Sequence, residues 1–205
     1  MKKFLTFVCV LSIASFAFAK GNLSLDIGAQ YANNQLHRFG KEPSNKFHNH
    51  NIRLQHMGGF NLGVNYEIAK NWGIFLNSAF SFNNVFLNDT VLGFGYTFAI
   101  PKAPIKLFLG GGLALGGFIY DNNIASVKTR TSHFNLGAGL QLVGSYMFTN
   151  MFGCFFGADL NYYGVLSGKE KTTVSSATNT SSISKSNLPD LAKTFHLKAG
   201  LRIAF

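Results

Sequence analysis

The sequence predicts an all-β fold: an eight-stranded antiparallel up-and-down transmembrane β-barrel. Three observations carry that reading. First, the final strand runs to the last residue. Phe195, Leu197, Ala199, Leu201, Ile203 and Phe205 are apolar and fall on alternate positions, between Thr194, His196, Lys198, Gly200, Arg202 and Ala204. A period of two is the mark of a strand with one oily face and one wet face. Second, the same alternation recurs in seven earlier segments, with bulky residues on one face and small or polar ones on the other. Third, the chain is 47% hydrophobic and holds 22 Phe, yet its most apolar stretch, Leu107 to Ile119, is Gly-rich and too short for a membrane helix. That apolar surface needs a place to go, and lipid around a closed barrel provides one.

The N-terminus reads as a secretory signal over residues 1–19. Lys2 and Lys3 supply positive charge, Phe4 to Ala14 the apolar run, and Ala17-Phe18-Ala19 a small-x-small cleavage site. The expected mature unit, residues 20–205, is a single barrel domain. It retains one cysteine, Cys154, so no internal disulfide holds it together. Stability must come from backbone pairing and packing.

The segments follow in order. The first spans about Asn22 to Ala32, with Leu23, Leu25, Ile27, Ala29 and Tyr31 on one face. The second, about Asn51 to Ile68, puts Phe60, Leu62, Val64 and Tyr66 against Asn61, Gly63 and Asn65. The third begins at Trp72 and sets Ile74, Leu76, Phe80 and Phe82 against Asn77, Ala79 and Ser81. The fourth, about Thr90 to Ile100, opposes Leu92, Phe94, Tyr96 and Phe98 to Gly93 and Gly95. The fifth, about Ile105 to Ile119, opposes Leu107, Leu109, Leu113 and Leu115 to Gly110, Gly112 and Gly116. The sixth runs from about His133 to Phe148 and the seventh from about Met151 to Tyr163, both with the same division. The terminal strand is the eighth.

Connections alternate in length. Ala69 to Asn71, Pro101 to Pro104 and Thr149-Asn150 are short; residues 33–50, 83–89, 121–132 and 164–190 are long. Short turns on one side and long loops on the other match bacterial outer-membrane barrels, with both termini in the periplasm. Small inward residues suit the narrow bore of eight strands. The run Gly110-Gly111-Gly112 therefore reads as interior fit; no helix follows it to bind an anion. Trp72, Tyr66, Phe98, Phe148 and Phe152 near the short turns, and Tyr31, Phe82, Phe134, Tyr162 and Phe195 near the long loops, form two expected aromatic girdles.

The whole mature chain resembles the small eight-stranded outer-membrane barrels of the OmpX, OmpW, opacity-protein and OmpA-barrel types. The most specific element is the ending Gly200-Leu201-Arg202-Ile203-Ala204-Phe205. It is similar to the assembly signal of that class, in which a Gly is followed by alternate apolar positions and a terminal Phe. Gly200, Ile203 and Phe205 match the pattern; Ala199 departs from its preference for a polar residue before the Gly. The resemblance implies the barrel-assembly machinery as a partner, and the basic loops suit anionic outer-membrane lipid or lipopolysaccharide, glycans or host polymers.

Inward charged residues are Asp26, Arg53, Glu67, Lys106, Asp159, His196, Lys198 and Arg202. In so narrow a space charges must pair or stay hydrated, and they are expected to form an ion-pair plug, with Asp26 and Arg202 as neighbours across the closing seam. Phe75, Phe108 and Phe155 sit equally deep in the three upward strands and should form an apolar layer. The expected role is a non-enzymatic surface or structural protein using loops 33–50 and 164–190 to contact host or surface polymers. One alternative is a narrow conduit or pocket for small hydrophobic molecules, as an OmpW-like reading implies. Another is a lipid-modifying enzyme, for which His133 with Ser132 and His196 with Asp159 are the candidates. His37, His48 and His50 lie in a loop without Cys, where solvated polar residues are the expected reading, so no metal site or cofactor is expected. Nucleic acid is excluded as a partner by the export signal and the lack of an aromatic-basic module.

Overall fold

The structure, a computed structural model, describes residues 23–37, 54–83, 85–124, 127–174, 177–182 and 191–205. The expected signal segment 1–19, Arg53, and residues 38–50 of the first expected loop, with His48 and His50, lie outside these residues. The described strands are β1 (Leu23–His37), β2 (Leu54–Ala69), β3 (Trp72–Phe82), β4 (Val85–Ala99), β5 (Ile105–Ile124), β6 (Val127–Met147), β7 (Phe152–Val174), β8 (Ala177–Ser182) and β9 (Leu191–Ala204). Every neighbouring pair is antiparallel, and β1 pairs with β9 to close the cylinder. The eighth place around the wall is shared. β9 pairs with the first part of β7, and β8 with its distal part.

Register fixes the geometry. Partners followed once around the wall run Asp26, Gly63, Asn77, Val91, Ala114, Gly137, Tyr163, Ala192 and back to Leu36. The path returns ten residues further along β1 (from 26 to 36), so the shear is ten. Strands with that stagger tilt steeply, and contacts across the bore join residues far apart in the pairing ladder.

Side chains divide as the alternation predicts. Leu92, Phe94, Leu109, Leu113, Leu140, Phe156 and Leu201 face outward and are more than half exposed. Phe152 and Tyr162 bound this belt on β7, as Trp72 and Phe82 do on β3, and all four are exposed. Ten residues separate the members of each pair, which at about 3.3 Å per residue and a tilt near 45° gives a belt roughly 24 Å tall. That is the height of hydrocarbon that such barrels span.

The connections depart from expectation. At the short-turn end Asn71 takes a left-handed backbone (φ 69°), which Asn tolerates, and its N–H donates to Glu67 Oε1 at 3.0 Å. At the opposite end much of the expected loop is strand. β4 begins at Val85, so residues 85–89 of the third expected connection are strand. Residues 121–124 and 127–132 form the distal parts of β5 and β6, with Ile124 paired to Val127. Much of 164–190 is the β7–β8 ribbon, with Val174 paired to Ala177. A two-stranded extension of an existing sheet needs no core of its own, and Thr favours strand. The wall is consequently uneven: β5, β6 and β7 have 20, 21 and 23 residues, β3 only 11.

Candidate functional site

The lumen is a stack of buried layers, built because alternate residues of every strand converge on a bore too narrow for water and side chains together. Nearest the short-turn end, Arg202 on β9 meets Asp26 on β1. Its Nε–H donates to Oδ1 at 2.6 Å and its Nη2–H to Oδ2 at 2.5 Å, while Nη1–H donates to Ser145 Oγ at 2.9 Å. The two residues are register partners across the seam that closes the barrel. Asn65 Nδ2 adds a longer contact to Asp26 at 3.4 Å.

A layer of rings follows. Phe75, Phe108 and Phe155 are buried, and Phe75 and Phe108 meet edge to face at 5.5 Å. The rings fit because glycines stand opposite them. A Cβ on Gly110 would come within 2.7 Å of Phe75 and 2.8 Å of Phe108, and one on Gly28 within 2.8 Å of Phe155. The layer continues through Val143, Val91 and Ala114 to Tyr163.

The next layer is polar. Asp159 Oδ2 accepts from Asn77 Nδ2 at 3.0 Å and lies 2.8 Å from Lys198 Nζ, close enough for an ion pair though off the line of a hydrogen bond. His196 Nε2 is 2.8 Å from Asp89 Oδ2. Gln30 donates to Ser81 at 2.7 Å. Above this lie Ala32, Met57, Val85, Leu87 and Phe118, a second apolar cluster, with His133 edge-on to Phe118 at 5.7 Å. Asn61, Ala114, Val143 and His196 are all 0% exposed.

These positions correct parts of the sequence reading. His196 and Asp159 are register partners, yet each bonds elsewhere: His196 to Asp89, Asp159 to Lys198 and Asn77. The candidate His196–Asp159 catalytic pair is therefore not formed. Asp89 escaped notice because it lay in an expected loop. Glu67 and Lys106 form no ion pair either; Glu67 holds the Asn71 turn, and Lys106 is exposed at the mouth. They stand three strands apart, at similar height but not in contact. Both line, with Arg202 and Thr97, an open recess of about 340 Å³ at the short-turn end. Ser132 points away from His133, and its Oγ–H donates to the Lys169 carbonyl at 3.4 Å. Among the described residues no three His, Cys, Asp or Glu side chains gather as metal ligands.

The terminal residues lie on the closing seam. Gly200 pairs with Gly28 and Ile203 with Leu25 on β1, and the Phe205 N–H donates to the Leu23 carbonyl at 2.9 Å. The last residue thus extends the ladder that shuts the cylinder.

No protein-family model matches the sequence, and no curated protein matches it. Solved structures do. Neisserial surface protein A superposes with a TM-score of 0.58 at 15% identity, covering 89% of this chain and 97% of that one. A major outer membrane protein from Thermus thermophilus gives 0.57 at 14%, covering 88% and 99%. OprG, an outer membrane protein of Pseudomonas aeruginosa, gives 0.55 at 13%, covering 90% and 96%. Identity this low carries the fold: a closed eight-strand barrel of the small outer-membrane type.

Proposed function

We propose that the chain is a sealed bacterial outer-membrane barrel, with both strand termini on the periplasmic side, whose role is structural or adhesive rather than catalytic or conductive. The observation that carries this is the filled bore. Two apolar layers and two charged or polar ones leave buried side chains from one end of the belt to the other. A conduit for water or ions needs a continuous hydrated path, and a pocket for an apolar molecule needs unfilled space between those layers. A lipid-modifying site needs an accessible nucleophile or base; His196 is wholly buried and His133 nearly so. What remains available for contact is the far end, where β5 to β8 stand beyond the belt as paired ribbons. In this reading they present a stiff surface to host or neighbouring polymers, replacing the mobile 164–190 loop that composition suggests.

Planar-bilayer recording, paired with uptake of an apolar solute by proteoliposomes, tests the sealed bore. The expected result is no step conductance above the bare membrane and no solute flux. Stable unitary currents, or flux abolished by Phe118→Trp, would assign a conduit instead.

A further inference from the structure

The open recess at the short-turn end carries two poles of opposite charge that do not meet. On β2, Glu67 and Asn65 stand two residues apart and line it together. Glu67 Oε1 accepts from the Asn71 N–H at 3.0 Å, and Asn71 Nδ2 donates in turn to the Tyr96 hydroxyl at 3.0 Å. The turn thus fixes the carboxylate in place and leaves Oε2 uncommitted among the described residues. Gly73, the register partner of Glu67 on β3, puts no side chain beside it. Asn65 gives its Nδ2 to Asp26, and its Oδ1 is buried with no hydrogen-bond partner among the described residues. A buried acceptor without a donor costs stability. Two acceptors on one strand face suit a group with several N–H donors, and an ammonium is such a group.

The opposite pole lies three strands away. Lys106 on β5 is exposed, and its Nζ has no partner among the described residues. Ser145 is its register partner on β6, and Ser145 Oγ accepts from Arg202 Nη1 at 2.9 Å. The guanidinium therefore reaches from β9 to the Lys106 side of the mouth. Asp26 and Ser145 use three of its five N–H donors, and two remain. Such donors beside a lysine suit a carboxylate. Between the poles lies Phe108, and beyond it the ring layer closes the bore. The recess is a dead end of about 340 Å³.

Span decides the ligand. Strands lie about 4.8 Å apart, so β2 and β5 are separated by roughly 14 Å along the wall and by less across its curve. Side chains from both poles shorten the gap further. An extended dipeptide is about 7 Å long, with one charge at each end. A single α-amino acid carries both charges on one carbon and cannot reach both poles. A simple anion or cation serves one pole and leaves the other bare.

We infer that this recess binds a short zwitterionic peptide, its amino terminus on Glu67 and Asn65 and its carboxylate on Lys106 and Arg202. Under the orientation proposed above the peptide comes from the periplasm; the site itself does not rest on that orientation.

The test uses the folded, isotope-labelled protein in nanodiscs, where both ends of the barrel meet solvent, and follows backbone amide shifts by NMR. It is titrated with dialanine, N-acetyl-dialanine, dialanine amide and alanine. Dialanine should shift the amides of Asn65, Glu67 and Lys106. Each blocked analogue, and alanine, should bind at least about tenfold more weakly, the share of one charge-assisted hydrogen bond. Glu67→Gln, which keeps an oxygen for the Asn71 N–H, should erase the preference for a free amine. Lys106→Gln should erase the preference for a free carboxylate. Lys169→Gln with Lys171→Gln, at the far end, should change neither. A variant spectrum unchanged away from the mouth shows that the variant is folded. Equal binding of all four compounds, no shifts at the mouth, or both preferences intact in the Glu67 and Lys106 variants would overturn the proposal. So would acetate and methylammonium each binding as tightly as dialanine, which would mean two separate ion sites.

Discussion

Replacing Arg202 by Met should be among the most damaging single changes in this barrel. The guanidinium makes two charge-assisted bonds to Asp26 and a third to Ser145, and both charged side chains are almost fully buried. Met preserves most of the aliphatic volume, so cavity formation contributes little. The loss is electrostatic: Asp26 keeps only the 3.4 Å contact from Asn65 and would lie as an uncompensated carboxylate among side chains that cannot solvate it. Breaking a buried pair from one side costs about 3–5 kcal/mol. The converse follows from the same physics. Removing both charges, in Asp26→Asn with Arg202→Met, should recover roughly half or more of that cost, because a well-packed neutral pair is often nearly as stable as a buried ion pair. Trp72 is the only tryptophan and faces outward at the short-turn end, so its emission reports unfolding directly. Urea titration in lipid vesicles, followed by Trp72 fluorescence and by cold-gel mobility, would give the four corners of the double-mutant cycle. A single mutant within about 1 kcal/mol of wild type, or a double mutant no better than the single, would refute the reasoning.

Two further changes probe the ring layer and the belt. Gly110→Ala should destabilise by about 1–3 kcal/mol, the usual cost of overpacking, because the nearest atoms its Cβ would meet belong to the Phe75 and Phe108 rings. Adding Phe108→Leu should relieve part of that cost in the same urea assay; equal damage in the double mutant would place the clash elsewhere. Leu113→Arg, outward on β5 and more than half exposed, should cost roughly 2–4 kcal/mol if it faces mid-bilayer. Full tolerance in the vesicle assay would count against that placement.

Facing was legible in the sequence, and distance was not. Alternation along β3 and β9 assigns each side chain to the wall or the bore, and equal depth in three upward strands brings Phe75, Phe108 and Phe155 into one layer. The Asp26–Arg202 contact was also legible, because the closing of any barrel makes the first and last strands neighbours. Partners across the bore depend on the shear, which no local pattern reports. His196 therefore reaches Asp89 and not its own register partner Asp159. Asp89 had a second disguise. Asn83-Asn84 and Asn88-Asp89 look like turn residues, and around them the usual faces are exchanged. Val85, Leu87 and Val91 are buried inside, while Thr90 stands outside with its hydroxyl bonded to Ser78 at 3.1 Å. The signal that could have found Asp89 was the unbroken alternation Val85, Leu87, Asp89, Val91. The Ser- and Thr-rich stretch after Gly164 misled for a different reason. Composition tells whether a segment can bury a core, and a ribbon paired to an existing strand has no such need.

Every functional reading of this barrel depends on the sidedness of its wall. It can be measured by single cysteines at successive positions of β3, Ile74 to Phe82, with Cys9 and Cys154 replaced by Ser. In vesicles, cysteines at 74, 76 and 80 should react with a lipid-soluble maleimide and not with a charged one. Cysteines at 77, 79 and 81 should react with neither until the barrel is unfolded. Rapid labelling of 77 and 79 by the charged reagent would reveal a hydrated bore and contradict the packed interior.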